Sequence, residues 1–174
     1  MEIKPLKKEI YAGKKFTARY KTCGYYDICA VDGGFKISYA PFKEPIEKSF
    51  DDVFFGEWLE NPIGFGAFEN GTLIGFSEGS YESWNNRFRI SNICVFDNSA
   101  RRRGIGTALI KAMQTAAEEC HARMLVLETQ TCNENAIAFY KKNGFDIIGF
   151  DLYSYSNADR ERHEVRVEMG KKLL

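Results

Sequence analysis

Arg101-Arg102-Arg103-Gly104-Ile105-Gly106-Thr107 lies between an apolar run, Ile90–Phe96, and a long segment of helical period. Glycines at 104 and 106 let the backbone turn tightly and bring successive N–H groups to bear on one anion. A helix N-terminus adds the positive end of its dipole, and the arginines supply further charge. The turn is therefore a candidate phosphate-binding element. The plainer alternative is a glycine-rich strand-to-helix connection with solvated arginines. Two familiar phosphate loops do not fit. A Walker loop requires GxxxxGK[ST], and here Gly106 is followed by Thr107-Ala108. A dinucleotide fingerprint requires GxGxxG, and here Gly104-Ile105-Gly106 continues as Thr107-Ala108-Leu109.

Downstream, Ile105, Ala108, Leu109, Ala112, Met113, Ala116 and Cys120 recur at helical spacing, leaving Lys111, Gln114, Glu118 and Glu119 outward. Met124–Leu127 is a continuous apolar run that suits a strand buried on both faces. Residues 134–142 read as a second helix ended by Gly144, and 145–150, 152–155 and 165–169 as strands. Upstream, 63–68 and 72–81 predict a hairpin around Glu69-Asn70-Gly71, followed by a strand over 87–96. Residues 50–61 predict a short acidic helix, with Val53, Phe54, Trp58 and Leu59 on its apolar side and Asn61-Pro62 ending it. Strands are expected over 16–20, 25–31 and 35–40, with a turn at Asp32-Gly33-Gly34 and an extended connection at Pro41 and Pro45. The class is α+β with a mixed sheet.

The chain has 174 residues, of which 44% are hydrophobic and 14% aromatic, enough for one globular domain with a real core. Its 24 Lys+Arg balance 24 Asp+Glu, which argues against a nucleic-acid partner, since phosphate contacts need a basic surplus. No stretch nears the roughly 18 apolar residues of a membrane span, and the N-terminus lacks an apolar signal core. A cytoplasmic protein with no membrane partner is expected. The 5 cysteines have no CxxC spacing and read as reduced, buried thiols. His121 and His163 lack ligand spacing, so no metal is expected. Charge is nonetheless uneven. Residues 1–21 carry Lys4, Lys7, Lys8, Lys14, Lys15, Arg19 and Lys21, whereas 41–60 carry Glu44, Glu47, Asp51, Asp52, Glu57 and Glu60. The acidic stretch is either a solvated face or company for a cationic substrate.

The pattern R-x-x-G-x-G at 101–106 resembles the acyl-CoA pyrophosphate loop of the GNAT N-acetyltransferase superfamily. Asn133-Glu134-Asn135-Ala136-Ile137-Ala138-Phe139-Tyr140-Lys141-Lys142-Asn143-Gly144-Phe145 is similar to that superfamily's N-x-x-A-x-x-F-Y-x-K-x-G-F helix, and it follows in the superfamily's order. Several stretches resemble the streptothricin (nourseothricin) acetyltransferases in particular. These are Ser80-Tyr81-Glu82-Ser83-Trp84-Asn85-Asn86, Leu127-Glu128-Thr129-Gln130, Gly149-Phe150-Asp151-Leu152-Tyr153-Ser154-Tyr155 and the strand from Glu164 to Met169. One departure stands out: where that subfamily tends to carry Glu-Asp in its central strand, this chain has Ser91-Asn92.

The resemblance implies a GNAT fold, with a mostly antiparallel sheet splayed at the cofactor cleft and flanked by helices. The chain would be one GNAT domain over 1–174: N-terminal strands and acidic helix over 1–62, an acetyl-CoA-binding core over 63–155 and a closing strand over 156–174. It implies acetyl-CoA as acetyl donor and a small-molecule amine as acceptor, with antibiotic resistance through a streptothricin-type substrate as the specific expectation. A protein, peptide or polyamine acceptor is the alternative within the enzyme class. A non-catalytic acyl-CoA-binding regulatory module is the alternative outside it. Dimers are common in the superfamily, so a homodimer is a further expectation.

By the same resemblance, the backbone of Ile93, Cys94 and Val95 would pair with the pantetheine arm, and the Val95 N–H would polarise the thioester oxygen. Arg101, Arg102, Arg103, Gly104, Ile105, Gly106 and Thr107 would hold the pyrophosphate, with Asn133 on the cofactor arm. Tyr140 occupies the general-acid position. An amine of pKa ~10 also needs a base, for which Glu128 is the first candidate. Glu78, Glu82, Asp151 and Glu164 are further carboxylates for base or cation binding, and Tyr81, Trp84 and Tyr155 could wall an acceptor pocket through cation–π contacts.

Overall fold

In the computed structural model, which describes residues 1–96 and 103–173, the chain runs β1 (Glu2–Pro5), α1 (Lys8–Tyr11), β2 (Lys15–Val31), β3 (Gly34–Val53), β4 (Ile63–Glu69), β5 (Thr72–Glu82), β6 (Arg87–Val95), α2 (Ile105–Glu119), β7 (Met124–Gln130), α3 (Glu134–Lys142), β8 (Asp146–Asp151) and β9 (Arg166–Lys172). It divides into two units.

The first unit comprises residues 1–18 and 50–127 with the chain end from Lys171. Its strands lie in the order β1-β4-β5-β6-β7. All neighbours are antiparallel except β6 and β7, which run parallel. Side chains alternate between the two faces of such a sheet. One face packs Ala67, Phe65, Ile93 and Val95 against Ile105 and Leu109 of α2. Another cluster joins Leu6, Phe16, Phe54, Phe55 and Phe76, with the Phe54 and Phe76 rings 4.2 Å apart.

The helix expected over 50–61 does not form. β3 continues through Val53, and turns follow. The apolar spacing that suggested a helix instead sends Phe54 and Phe55 into the aromatic core, while Trp58 is left 66% exposed. Phe55 and Asn61 take left-handed φ values of 51° and 46°, which a continuous right-handed helix cannot accommodate. Burial of two phenylalanines outweighs a local helical period. β1 and α1, each four residues long, are too short to leave a period in the sequence.

The second unit comprises residues 19–49 and 128–170. Its hairpin of β2 and β3 turns at Asp32-Gly33-Gly34, as the sequence predicts. Among the described residues, β3 has only β2 beside it in a two-stranded sheet. Its outer edge can therefore carry Pro41 and Pro45, which lack the N–H that a central strand requires. β8 and β9 pair antiparallel from Asp146↔Gly170 to Asp151↔Arg166, and the local strand order is β7-β9-β8. α3 buries Ile137 and Tyr140. The strand expected over 152–155 is instead a series of turns, because side chains take its backbone donors. Asp151 Oδ1 accepts from the Tyr153 N–H at 3.0 Å, and Asp159 Oδ2 from the Tyr155 N–H at 2.7 Å.

Candidate active site

In the first unit, β5 and β6 pair with a one-residue shift. Glu78 faces Asn92 and Gly79 faces Ile90, so Ser91 is the extra residue of a β-bulge. A Cβ on Gly79 would lie 2.2 Å from the Arg89 carbonyl oxygen, so the backbones come together here only because residue 79 has no side chain. The parallel ladder between β6 and β7 runs from Arg87↔Met124 to Ile90↔Leu127. Its last pair therefore sits immediately before the bulge. Beyond it, Ile93, Cys94 and Val95 continue in register with Ser77, Phe76 and Gly75 of β5.

α2 begins beside this strand: Ile105 packs with Ile93 and Val95. Its N-cap is Gly104, held left-handed at φ 81°, a conformation open to glycine at little cost. Among the described residues, a Cβ there would meet no atom within 4 Å, and no side chain caps the first amides of the helix. Such a terminus suits an anion, and the residues present fit a pyrophosphate. Arg103 forms a two-pronged ion pair with Glu69, one contact being Nη1 to Oε2 at 3.1 Å. The Arg103 hydrogen bond lowers the Glu69 carboxyl pKa. Arg101 and Arg102 lie outside the described residues.

Next to the bulge, opposite Asn92, Glu78 is fully buried. Its Oε2 accepts from the Phe55 N–H at 2.8 Å and its Oε1 from Asn92 Nδ2 at 2.9 Å. The same Nδ2 donates to Asp52 Oδ2 at 3.0 Å. Burial pushes the Glu78 carboxyl pKa up; the hydrogen bonds from Asn92 and Phe55 only partly oppose this, and the nearby Asp52 charge adds to it. Asp52 and Asn92 escaped selection from sequence as site residues. The signals were Ser91-Asn92 in place of Glu-Asp and the acidic run over 41–60, but neither says that Asn92 stands opposite Glu78. Glu82 accepts from Arg89 Nε at 2.5 Å and from Asn85 Nδ2 at 3.1 Å. Burial acts to raise its carboxyl pKa, but these donors outweigh it and hold it low. The Tyr81 hydroxyl donates to Asn86 Oδ1 at 3.0 Å, and Trp84 at the turn is 84% exposed.

In the second unit, Asn133 Oδ1 accepts from the Ala136 N–H at 3.4 Å and caps α3. Tyr140 is buried on that helix, its ring 6.0 Å from that of Phe145. Glu128 meets Arg166 Nη2 at 2.7 Å through Oε2 and accepts from the Tyr155 hydroxyl at 3.2 Å through Oε1. Burial, then the Glu128 charge and hydrogen bond, raise the Tyr155 phenol pKa. Glu164 pairs with Lys48 at 2.5 Å, and Asp151 serves the turn already described. The structure thus gathers Glu128, Tyr155 and Arg166 into one cluster, and holds Glu164 and Asp151 in contacts of their own.

A strand bulged at the point where its parallel neighbour's ladder ends, leading into a helix that starts on glycine, defines a class: the acetyl-CoA-dependent N-acetyltransferases. The sequence profile of the acetyltransferase (GNAT) family matches residues 32–145, and the chain belongs to that family. It is 29% identical over 150 residues to the streptothricin acetyltransferase of Streptomyces lavendulae, spanning 82% of this chain and 79% of that protein. It is also similar to the crystal structure of nourseothricin acetyltransferase, with a TM-score of 0.80, 26% identity and 99% and 98% of the two chains covered. An aminoglycoside 6'-N-acetyltransferase complexed with coenzyme A, 17% identical, shares the fold at a TM-score of 0.56 over 65% of this chain and 73% of its own. Among the described residues, no helix is long and apolar enough to cross a membrane.

Proposed function

We propose that this N-acetyltransferase moves the acetyl group of acetyl-CoA to a primary amine of a small cationic acceptor of the streptothricin type. The observation that carries the acceptor is the extent of the likeness: 82% of the chain aligns with a streptothricin acetyltransferase, well beyond the shared family core. In this reading the backbone of Ile93, Cys94 and Val95 on β6 receives the pantetheine arm, and the Val95 N–H polarises the thioester oxygen as negative charge develops. The turn from Arg101 to Thr107 holds the pyrophosphate through backbone donors and the dipole of α2. Asn133 serves the cofactor arm, and Tyr140 donates to the departing thiolate.

The acceptor arrives as an ammonium and must lose a proton before attack. Glu128 is the carboxylate assigned to draw that proton away through water. Arg166 pairs with it and the Tyr155 hydroxyl fixes its orientation. Tyr81, Glu82 and Trp84 at the β5–β6 turn, with Asp151 and Glu164, supply the aromatic and anionic surroundings that suit a polycationic amine. Much of the rate gain comes from holding amine and thioester together.

The test measures release of CoA thiol from acetyl-CoA with streptothricin, spermidine, an aminoglycoside and a peptide amine as acceptors. The reading predicts the highest kcat/KM with streptothricin. Preferential turnover of any of the others would reassign the acceptor, and release with none of them would contradict transfer to an amine of this kind.

A further inference from the structure

Asn92 stands on β6 immediately after the bulge at Ser91 and immediately before Ile93, the first residue assigned to the pantetheine arm. Its Nδ2 has two hydrogens, and both are used: one goes to Glu78 Oε1 and the other to Asp52 Oδ2. Two carboxylates can only accept when ionised, so the amide cannot turn over without setting its carbonyl oxygen against them. Its orientation is therefore fixed, and Oδ1 is directed away from both acids. Among the described residues, no donor is recorded on that oxygen. Asn92 is half-buried, whereas Glu78 beneath it has no exposure. Glu78 thus cannot meet a substrate, and its contacts run to the Phe55 N–H and to Asn92. Among the described residues, neither Glu78 nor Asp52 has a lysine or arginine within ion-pair distance.

We infer that Asn92 Oδ1 is the oxygen that receives an N–H of the acceptor amine, and that Glu78 is a positioning residue holding the Asn92 amide in the receiving orientation. The inference rests on the amine-acetylating reading above and names the group that recognises the amine. A hydrogen-bond acceptor backed by two carboxylates favours a positively charged donor over a neutral one. The chain then carries an amide at residue 92 and a carboxylate across the ladder at residue 78.

The test compares wild type, Asn92→Ala, Glu78→Gln and the double variant Glu78→Gln/Asn92→Asp, with streptothricin, spermidine, an aminoglycoside and a peptide amine. KM is measured for acetyl-CoA and for whichever amine the wild type turns over best. Each single variant should raise the amine KM about tenfold or more, the scale of one hydrogen bond to a charged group, with the acetyl-CoA KM within about twofold. In Glu78→Gln the side-chain oxygen stays with the Phe55 N–H and the new amide sets its N–H groups against those of Asn92, so the hold on the receiving orientation is lost. In the double variant the amide introduced at position 78 donates to the carboxylate introduced at position 92, which shares a proton with Asp52 as facing carboxylates do, leaving its other oxygen for the amine. The amine KM should then return to within about threefold of wild type. A merely structural role would not give that rescue. Wild-type turnover with unchanged amine KM in the single variants, or a double variant no better than either single one, overturns the inference and leaves the functional reading standing. No turnover of any amine by wild type overturns both. Thermal unfolding of each variant separates misfolding from weakened recognition, and the double variant carries the test if Asn92→Ala does not fold.

Discussion

Replacing Gly104 separates the two jobs assigned to the start of α2. Residue 104 is the helix N-cap at φ 81°, and among the described residues a Cβ there would meet no atom within 4 Å. Gly104→Ala should therefore cost only the backbone term for a left-handed residue, ~1–2 kcal/mol. Gly104→Asp bears a similar strain, reduced because Asp tolerates this conformation better than Ala. It gains back ~0.3–1 kcal/mol as an anion at a helix N-terminus. The order of stability should be Gly, then Asp, then Ala. CoA affinity should follow a different order. A carboxylate ~5 Å from a phosphate charge, at an effective permittivity near 20, is repelled by ~3 kcal/mol, about a hundredfold in affinity. Ala adds no charge and should weaken binding by less than about tenfold. Urea unfolding gives the stabilities, and calorimetric titration with CoA gives the affinities. The crossed result, Asp more stable than Ala but binding CoA far more weakly, is expected. If Asp binds CoA as well as Ala does, no phosphate sits at this turn and the assignment of 101–107 fails.

Tyr140→Phe should lower kcat at least about tenfold with CoA affinity within about twofold, because its proposed work lies in the transition state; unchanged turnover removes it from the acid role. Phe76→Ala should cost ~3–5 kcal/mol in chemical unfolding, since a fully buried ring packed against Phe16, Phe54 and Phe96 is lost; a loss under ~1 kcal/mol would contradict the aromatic core. Burial raises the folded-state pKa of Glu78 above its ordinary 4.5, so the stability it contributes is full below that value and is lost as pH rises through the folded value. Glu78→Gln cannot ionise, so wild-type stability relative to this variant should fall with rising pH across that window; a flat or rising difference in unfolding free energy would refute the shift.

The parts of the fold legible in sequence are those with a period or a turn chemistry of their own. α2 follows Ile105, Leu109 and Met113 down one face, and α3 is bracketed by a capping Asn133 and a terminating Gly144. The hairpin at Glu69-Asn70-Gly71 was equally plain. Residues 50–61 misled because Phe54 and Phe55 are placed by distant partners, Phe16 and Phe76 among them, that no local window contains. The site divides in the same way. Gly104 and Tyr140 announce themselves by motif, whereas the grouping of Asp52, Glu78 and Asn92 depends on a register shift of one residue between β5 and β6. A bulge reverses which side chains share a face, so sequence spacing alone could not bring those three together.

The proposed reaction is transfer of an acetyl group from acetyl-CoA to a primary amine of streptothricin. Its most direct test is incubation of the purified chain with acetyl-CoA and streptothricin, followed by mass spectrometry and NMR of the antibiotic. One N-acetyl group is expected, appearing as an amide on a primary amine in step with release of CoA thiol. Recovery of streptothricin unmodified, or acetylation on oxygen in place of nitrogen, would contradict it.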